Sequence, residues 1–309
     1  MSETPPDIPT DGPALFDPTA PLTASGNLRR RAAVDQVVHF GATGAAMIAV
    51  AMLAIVVYGV VSRGAPALNL DFVIKNPAGL AGGGILNSLL GTLVIVAFGA
   101  MIALPIGILT GLYLTEFAGP RSRTAYVIKL ALDMMQGLPT IVVGLFVYGL
   151  IVIPEHVESG FAASIALAIV MLPLMARASQ EVLLLVPGSL REAADALGVD
   201  RWRTVLGVIL PSATGGIATG AILAIARAAG ETAPVLVVNS LYNPVTTQLN
   251  IFGHGVPSIP MLILTTTDLA VPQAFVRAWG AAFVLLMFIL LANIAARVLL
   301  ARSRAKMGA

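Results

Sequence analysis

Leu190–Leu210 reads LREAADALGVDRWRTVLGVIL, two short helical patterns on either side of Gly198. The glycine sits where a helix C-cap falls, and Asp200 is placed to N-cap the second helix. Taken alone, the stretch fits a helix-turn-helix that reads DNA. Its charges argue otherwise. Arg191, Arg201 and Arg203 are cancelled by Glu192, Asp195 and Asp200, which leaves little attraction for a phosphate backbone. Its apolar residues say more. Leu190, Ala193, Ala194 and Leu197 fall at i, i+3, i+4 and i+7, one face of a short helix, and Trp202, Val205 and Leu206 extend the apolar surface beyond Gly198. That pattern suits a helix seated in a partner's groove; the alternative is a helix lying on a bilayer surface.

The rest of the chain sets the context. Of 309 residues, 57% are hydrophobic and only 11% charged, and the mean hydropathy is +0.90. Soluble domains carry about 25% charged residues, so too little polar surface is present to cover a soluble globule. Six apolar segments reach spanning length, about 20 residues or more: 37–61, 85–114, 125–153, 161–185 (interrupted by Pro173), 208–241 and 275–300. With the N-terminus placed in the cytoplasm, 13 of the 18 Lys and Arg fall inside and 3 outside, while Arg177 and Arg227 lie within spans. This bias predicts a multi-pass membrane protein with both termini cytoplasmic. The opening stretch, about 186–207, then becomes a cytoplasmic loop before the fifth span.

The net charge of +2 gives no basic field for nucleic acid. With no Cys, disulfide and thiol chemistry are excluded. His39, His156 and His254 are scattered without metal-ligand spacing, so no metal site is expected. Residues 1–34 read as a disordered acidic, Pro-rich tail stopped by Arg29, Arg30 and Arg31, and residues 35–309 as the membrane domain.

Glu192-Ala193-Ala194, Gly198 and Ile209-Leu210-Pro211 together resemble the EAA loop of ABC importer permeases. Further stretches extend the likeness over nearly all of the chain after the tail: NSLLGT at 87–92, IALPIG at 102–107, YLTEF at 113–117, GLPTIVVG at 137–144 and ARAAGETAP at 226–234. Together they resemble the A-type permease subunits of phosphate ABC importers (PstA-type). The resemblance implies an all-α, MetI-like permease of six transmembrane helices with a cytoplasmic coupling-helix loop. It implies phosphate import powered by ATP across the plasma (inner) membrane, beside a homologous second permease (PstC-type), two ATPase subunits (PstB-type) and an extracytoplasmic phosphate-binding protein (PstS-type). It implies ATPase coupling through Glu192, Ala193, Ala194, Gly198 and Trp202, and it matches Arg227 and Glu231 to the family's transport-critical pair. The tail is a departure that this mechanism does not require.

Arg227 and Glu231 are the sharpest chemical feature of the residues themselves. Four apart, they share one helix face, and a charge at mid-span costs roughly 2.5–3.5 kcal/mol, which disfavours leaving either alone. One reading is a structural pair bridging helices. The other is a pathway in which Arg227 attracts phosphate with its forked donors and Glu231 pairs it in the empty state. Gly216, Gly220 and Ala224 lie roughly on that face and leave room for a close neighbour or an aqueous path. Arg177, near the inner end of the fourth span, is explained by the positive-inside rule, with a pathway role as the lesser reading. Glu192 pairs a basic group on the ATPase or orients the loop through Arg191 and Arg203. Gly198 requires a positive φ. Pro105, Pro139, Pro173 and Pro234 lie inside spans or near their ends and permit kinks, and the outer loop 250–260 either touches the delivering protein or caps the pore. No Lys follows a Gly, so the chain has no P-loop. No cofactor is expected on it, ATP and Mg belonging to the partner ATPase. Two alternatives stay open: a permease for another oxyanion such as sulfate or molybdate, and a non-conducting membrane scaffold or sensor.

Overall fold

The computed structural model describes residues 26–78, 82–119, 121–240, 249–269 and 271–307. By its internal contacts the chain divides after Val57. In the first unit, helix α1 (Gly26–Gly64) begins, and none of its residues 30–57 is buried. Val37, Phe40, Met47 and Ile55 all stand open. A helix apolar on every side is stable in hydrocarbon, not in water. The first 25 residues of the expected tail lie outside the described residues; positions 26–34, with their arginines, are the first turns of α1 rather than disordered chain.

The second unit holds the remainder. Helix α2 (Leu70–Ile74), capped by the Asn69 side chain, and a two-residue hairpin, β1 (Pro77–Ala78) with β2 (Gly82–Gly83), lead into α3 (Leu86–Leu112), which runs on through a π turn to Phe117. Then come α4 (Arg123–Gly137), α5 (Thr140–Val147), α6 (Ile153–Glu155) and α7 (Gly160–Leu184). The loop helices α8 (Gly188–Ala196) and α9 (Arg201–Thr204) follow, then α10 (Leu210–Ala229), α11 (Ala233–Val238), α12 (Ile259–Thr267) and α13 (Pro272–Met307). Among the described residues five helices are long and apolar enough to cross a membrane, and α4 with the segment 140–155 forms a bent pair that makes six.

Two of the expected spans are not continuous helices. The segment 125–153 turns through 104° between Gly137 and Thr140. Pro139 is the cause: it has no N–H to donate and forces the preceding residue out of the helical region. Leu138 accordingly sits at φ −71°, ψ 134°. The segment 208–241 stops at Ala229 and restarts at Ala233, because the ring of Pro234 cannot follow an unbroken turn. By contrast α3 and α7 run through Pro105 and Pro173 as single helices.

Helix α7 is the centre of the unit. On one side α3 lies parallel to it. A Cβ added to Gly107 would stand 2.7 Å from the Met175 Cβ, and one on Gly111 2.7 Å from the Ser179 Cβ. On the other side α10 runs antiparallel, with Gly216 against Val182 and Gly220 against Ala178. The Gly216–Gly220 stripe therefore serves a close neighbour and not an aqueous path. Small residues let backbones approach where lipid supplies no hydrophobic drive.

At the end of the unit opposite α8 and α9, the described part of the 249–260 loop is stitched to the helices. Buried Asn239 donates to the Val256 carbonyl at 2.7 Å and accepts from the Val256 N–H at 2.8 Å. Thr92 Oγ1 accepts from the Ile259 N–H at 2.8 Å, and Gly160 N–H donates to the His254 carbonyl. Asn239→Ala is expected to leave both Val256 groups unpaired, at roughly 1–3 kcal/mol each. A thermal melt of the purified complex checks this; a Tm equal to wild type overturns it.

Candidate functional site

Two places gather chemistry. At the loop end, α8 closes through Gly198. The Gly198 N–H donates to the Asp195 carbonyl at 3.0 Å and the Val199 N–H to the Ala194 carbonyl at 3.1 Å, the paired bonds of a Schellman motif. Gly198 has φ +66°, as the sequence requires. Asp200 precedes α9 but makes no side-chain cap; its carboxylate stands 3.8 Å from Arg203 Nε instead. Ala194 turns inward, while Leu197 is 81% exposed and Trp202 54%. Glu192, Ala193 and Gly198 are exposed as well. The loop thus shows an open apolar face with an acidic group beside it, suited to a partner's groove.

The sequence offers Glu192 either as a partner for a basic group on the ATPase or as the residue that orients the loop through Arg191 and Arg203; for Arg191 the structure shows another partner. The anchor is instead Glu116, at the π-helical end of α3, whose side chain is 2% exposed. Arg191 Nη2 donates to Glu116 Oε1 at 2.6 Å, and its Nε lies 3.1 and 3.2 Å from the two carboxylate oxygens. The same guanidinium donates to the carbonyls of Val186 at 2.8 Å and Leu183 at 3.0 Å. It is therefore tied at once to α3 and to the end of α7. The hydrogen bond donated to Glu116 raises the Arg191 pKa above its ordinary value, against the lowering effect of burial. A raised cation pKa contributes stability at every pH below the unfolded value and loses it only above. The arginine side of this tie therefore does not titrate in the physiological range.

The second place lies within the membrane-spanning part. A cavity of about 220 Å³ is lined by Gln136, Leu138, Thr140, Val143, Pro173 and Arg227, among others. It opens beside the break at Pro139, and α5 begins at its wall, so the positive end of that helix adds to the Arg227 charge. Arg227 is 63% exposed along its side chain, and Glu231 17%. Their closest approach, Nε to Oε1, is 3.9 Å, an ion pair without a hydrogen bond. Glu231 lies past the end of α10, so the two do not share one continuous helix face; its N–H caps α10 through the Ala228 carbonyl at 3.1 Å. Another cavity of about 180 Å³, lined by Leu93, Val96, Ala100, Ile225, Ile259 and Phe288 among others, is almost wholly apolar and has no charged group to hold an anion.

Arg177 does not reach the Arg227 cavity wall. It pairs with Asp133 of α4 and donates to Gln180 Oε1 at 3.4 Å. Glu116 lies in the YLTEF stretch at 113–117, though nothing in that stretch points to Arg191, and Asp133 lies in none of the motifs. Both carried a signal, since a lone carboxylate within or at the end of an apolar run is rare without a role.

A family model described as binding-protein-dependent transport system inner membrane component matches residues 103–305. The phosphate transport system permease protein PstA 1 of Mycobacterium tuberculosis is 39% identical over 218 residues, 70% of each chain. The PstA protein of Haemophilus influenzae is 36% identical over 244 residues, 79% of this chain and 85% of that one. Among solved structures, an inward-facing form of the MetNI methionine ABC transporter superposes with a TM-score of 0.53 at 20% identity, over 71% of this chain and 94% of that one. At that identity the likeness speaks for the fold.

Proposed function

The chain belongs to the family of binding-protein-dependent transport system inner membrane components, among its PstA-type members, and we propose that it forms one half of the translocation pathway of an ATP-driven importer of inorganic phosphate. It is a transport subunit, and ATP is hydrolysed on a separate chain. The observation that carries the reading is the exposed Arg227 guanidinium on the wall of an intramembrane cavity. Phosphate bears about two negative charges near neutral pH, and a planar guanidinium offers it paired donors. The loose Glu231 contact leaves those donors available: the carboxylate balances Arg227 when the path is empty and yields when the anion arrives.

The loop end faces the cytoplasm in this reading, and the open face of Ala193, Leu197 and Trp202, with Glu192 beside it, receives one of two PstB-type ATPase subunits. ATP and Mg stay on those subunits. A PstC-type permease supplies the other half of the pathway. A PstS-type phosphate-binding protein delivers to the opposite end, where the 249–260 loop is pinned by Asn239 and Thr92. Both termini are cytoplasmic and the membrane is the bacterial plasma membrane. Arg177 belongs to the path toward the cytoplasm.

ATP-dependent uptake of labelled phosphate by the reconstituted complex, with sulfate as competitor, tests the reading. Arg227→Ala is expected to lower uptake by about tenfold, one strong charge-assisted contact, with the complex still assembled. Uptake that sulfate suppresses moves the substrate class to oxyanions in general. Full activity in the variant makes Arg227 structural, and an intact complex that carries no solute favours the scaffold.

A further inference from the structure

We propose that Asp133 is the resting counter-ion of Arg177, and that the pair stands one turn beyond the Arg227 cavity as the next station of the path, opening when an oxyanion takes the place of the carboxylate. The inference rests on the cavity being part of the phosphate path. Helices α4 and α7 run antiparallel here. Asp133 meets Arg177, and three residues on, Gln136 Nε2 reaches the Pro173 carbonyl at 3.5 Å, four residues before Arg177. Gln136 and Pro173 are themselves part of the cavity wall that carries Arg227. The ion pair therefore lies one helical turn, about 5 Å, from the cavity on its loop-end side.

Comparison with the other interhelical arginine shows which pair is built to open. Arg191 has three oxygen-bearing partners, and its carboxylate is 2% exposed. Arg177 has a single carboxylate oxygen and one amide oxygen, and its carboxylate is 61% exposed. The first is a fixed tie. The second has a carboxylate with one side open. A carboxylate this open cannot face hydrocarbon, so its exposed side borders either water or a second subunit. Phosphate, with more charge and more acceptor oxygens than a carboxylate, competes for a guanidinium whose carboxylate partner stands this open. Asp133 then does for Arg177 what a competing ligand does at any relay. It lowers the residence of the anion by competing for the cation while the anion is bound.

The test uses the whole transporter in proteoliposomes, with phosphate as the probe. Asp133→Asn and Asp133→Glu are compared with wild type, and Gln136→Cys, in partner subunits lacking reactive thiols, reports cavity occupancy by its labelling with a water-soluble thiol reagent. Asp133→Asn is expected to assemble and keep its ATPase activity while uptake falls about tenfold through slow release. In the same background, protection of position 136 from the thiol reagent requires several-fold less phosphate, because nothing competes for Arg177. Asp133→Glu restores most of the uptake. Normal uptake in Asp133→Asn, an unchanged phosphate requirement for protection, or loss of complex in proportion to loss of uptake each overturns the proposal in favour of a static bridge. A wild-type complex that takes up no phosphate removes the pathway reading itself.

Discussion

Replacing Glu116 with alanine is expected to be the most damaging single change at the loop end. The carboxylate is buried and takes up both Nε and Nη2 of Arg191. Removing the carboxylate costs about 2–3 kcal/mol, less than for a fully buried pair, because Arg191 is 28% exposed and keeps its two carbonyls. Glu116→Gln keeps an acceptor but not the charge, and should cost less, about 1–2 kcal/mol. Two consequences separate this tie from an ordinary stabilising contact. First, the exchange of Glu116 for Arg with Arg191 for Glu is not expected to restore function. Arg191 also donates to the Val186 and Leu183 carbonyls, and a carboxylate in its place has no proton to give them. Secondly, Arg191→Lys should fall short, because one ammonium cannot span a carboxylate and two carbonyls with fixed geometry. Melting of the purified complex gives the stability arm, and the ratio of phosphate moved to ATP hydrolysed gives the coupling arm. A Glu116→Ala complex with wild-type Tm and wild-type ratio would show that the loop is held elsewhere.

Much of this was legible in the chain. The apolar segments located the membrane helices because hydrocarbon admits few polar groups over about 20 residues. The Gly198 turn was legible because only glycine enters that region of φ freely, and the structure places it at +66°. What periodicity could not show is where a proline ends a span and where it is absorbed. Pro139 bends the chain by 104°, whereas Pro105 and Pro173 sit inside continuous helices. At Pro139 the preceding Leu138 leaves the helical region, at ψ 134°, whereas the helices continue through the other two. Likewise the Arg227–Glu231 spacing suggested one helix face, but Pro234 ends the helix between them. Partners distant in sequence were the other gap. Arg191 and Glu116 are 75 residues apart and Arg177 and Asp133 are 44, and no local pattern links either pair.

The Gly198 series separates strain from crowding. No atom lies within 4 Å of a Cβ built on Gly198, so a substitution there meets no steric obstacle and its cost is set by φ alone. A non-glycine residue in the left-handed region costs about 1–2 kcal/mol, and a β-branched one more. Asparagine tolerates that region best among the alternatives. The expected order of coupled transport is therefore glycine, then asparagine, then alanine, then valine, with Gly198→Val reduced by about ten- to a hundredfold. The defect should be one of geometry. If the turn relaxes, the Val199–Ala194 and Gly198–Asp195 bonds are lost, and Trp202 and Leu206 move relative to Leu197 on the face proposed to receive the ATPase. The tie of Arg191 to Glu116, on the near side of the turn, remains. The variant should consequently assemble and hydrolyse ATP while moving little phosphate. If Gly198→Asn and Gly198→Val prove equally impaired, side-chain volume is at fault, which points to a surface that the ATPase covers closely at this turn. If all three retain coupling, the left-handed turn is dispensable and the two loop helices are held apart by their own packing.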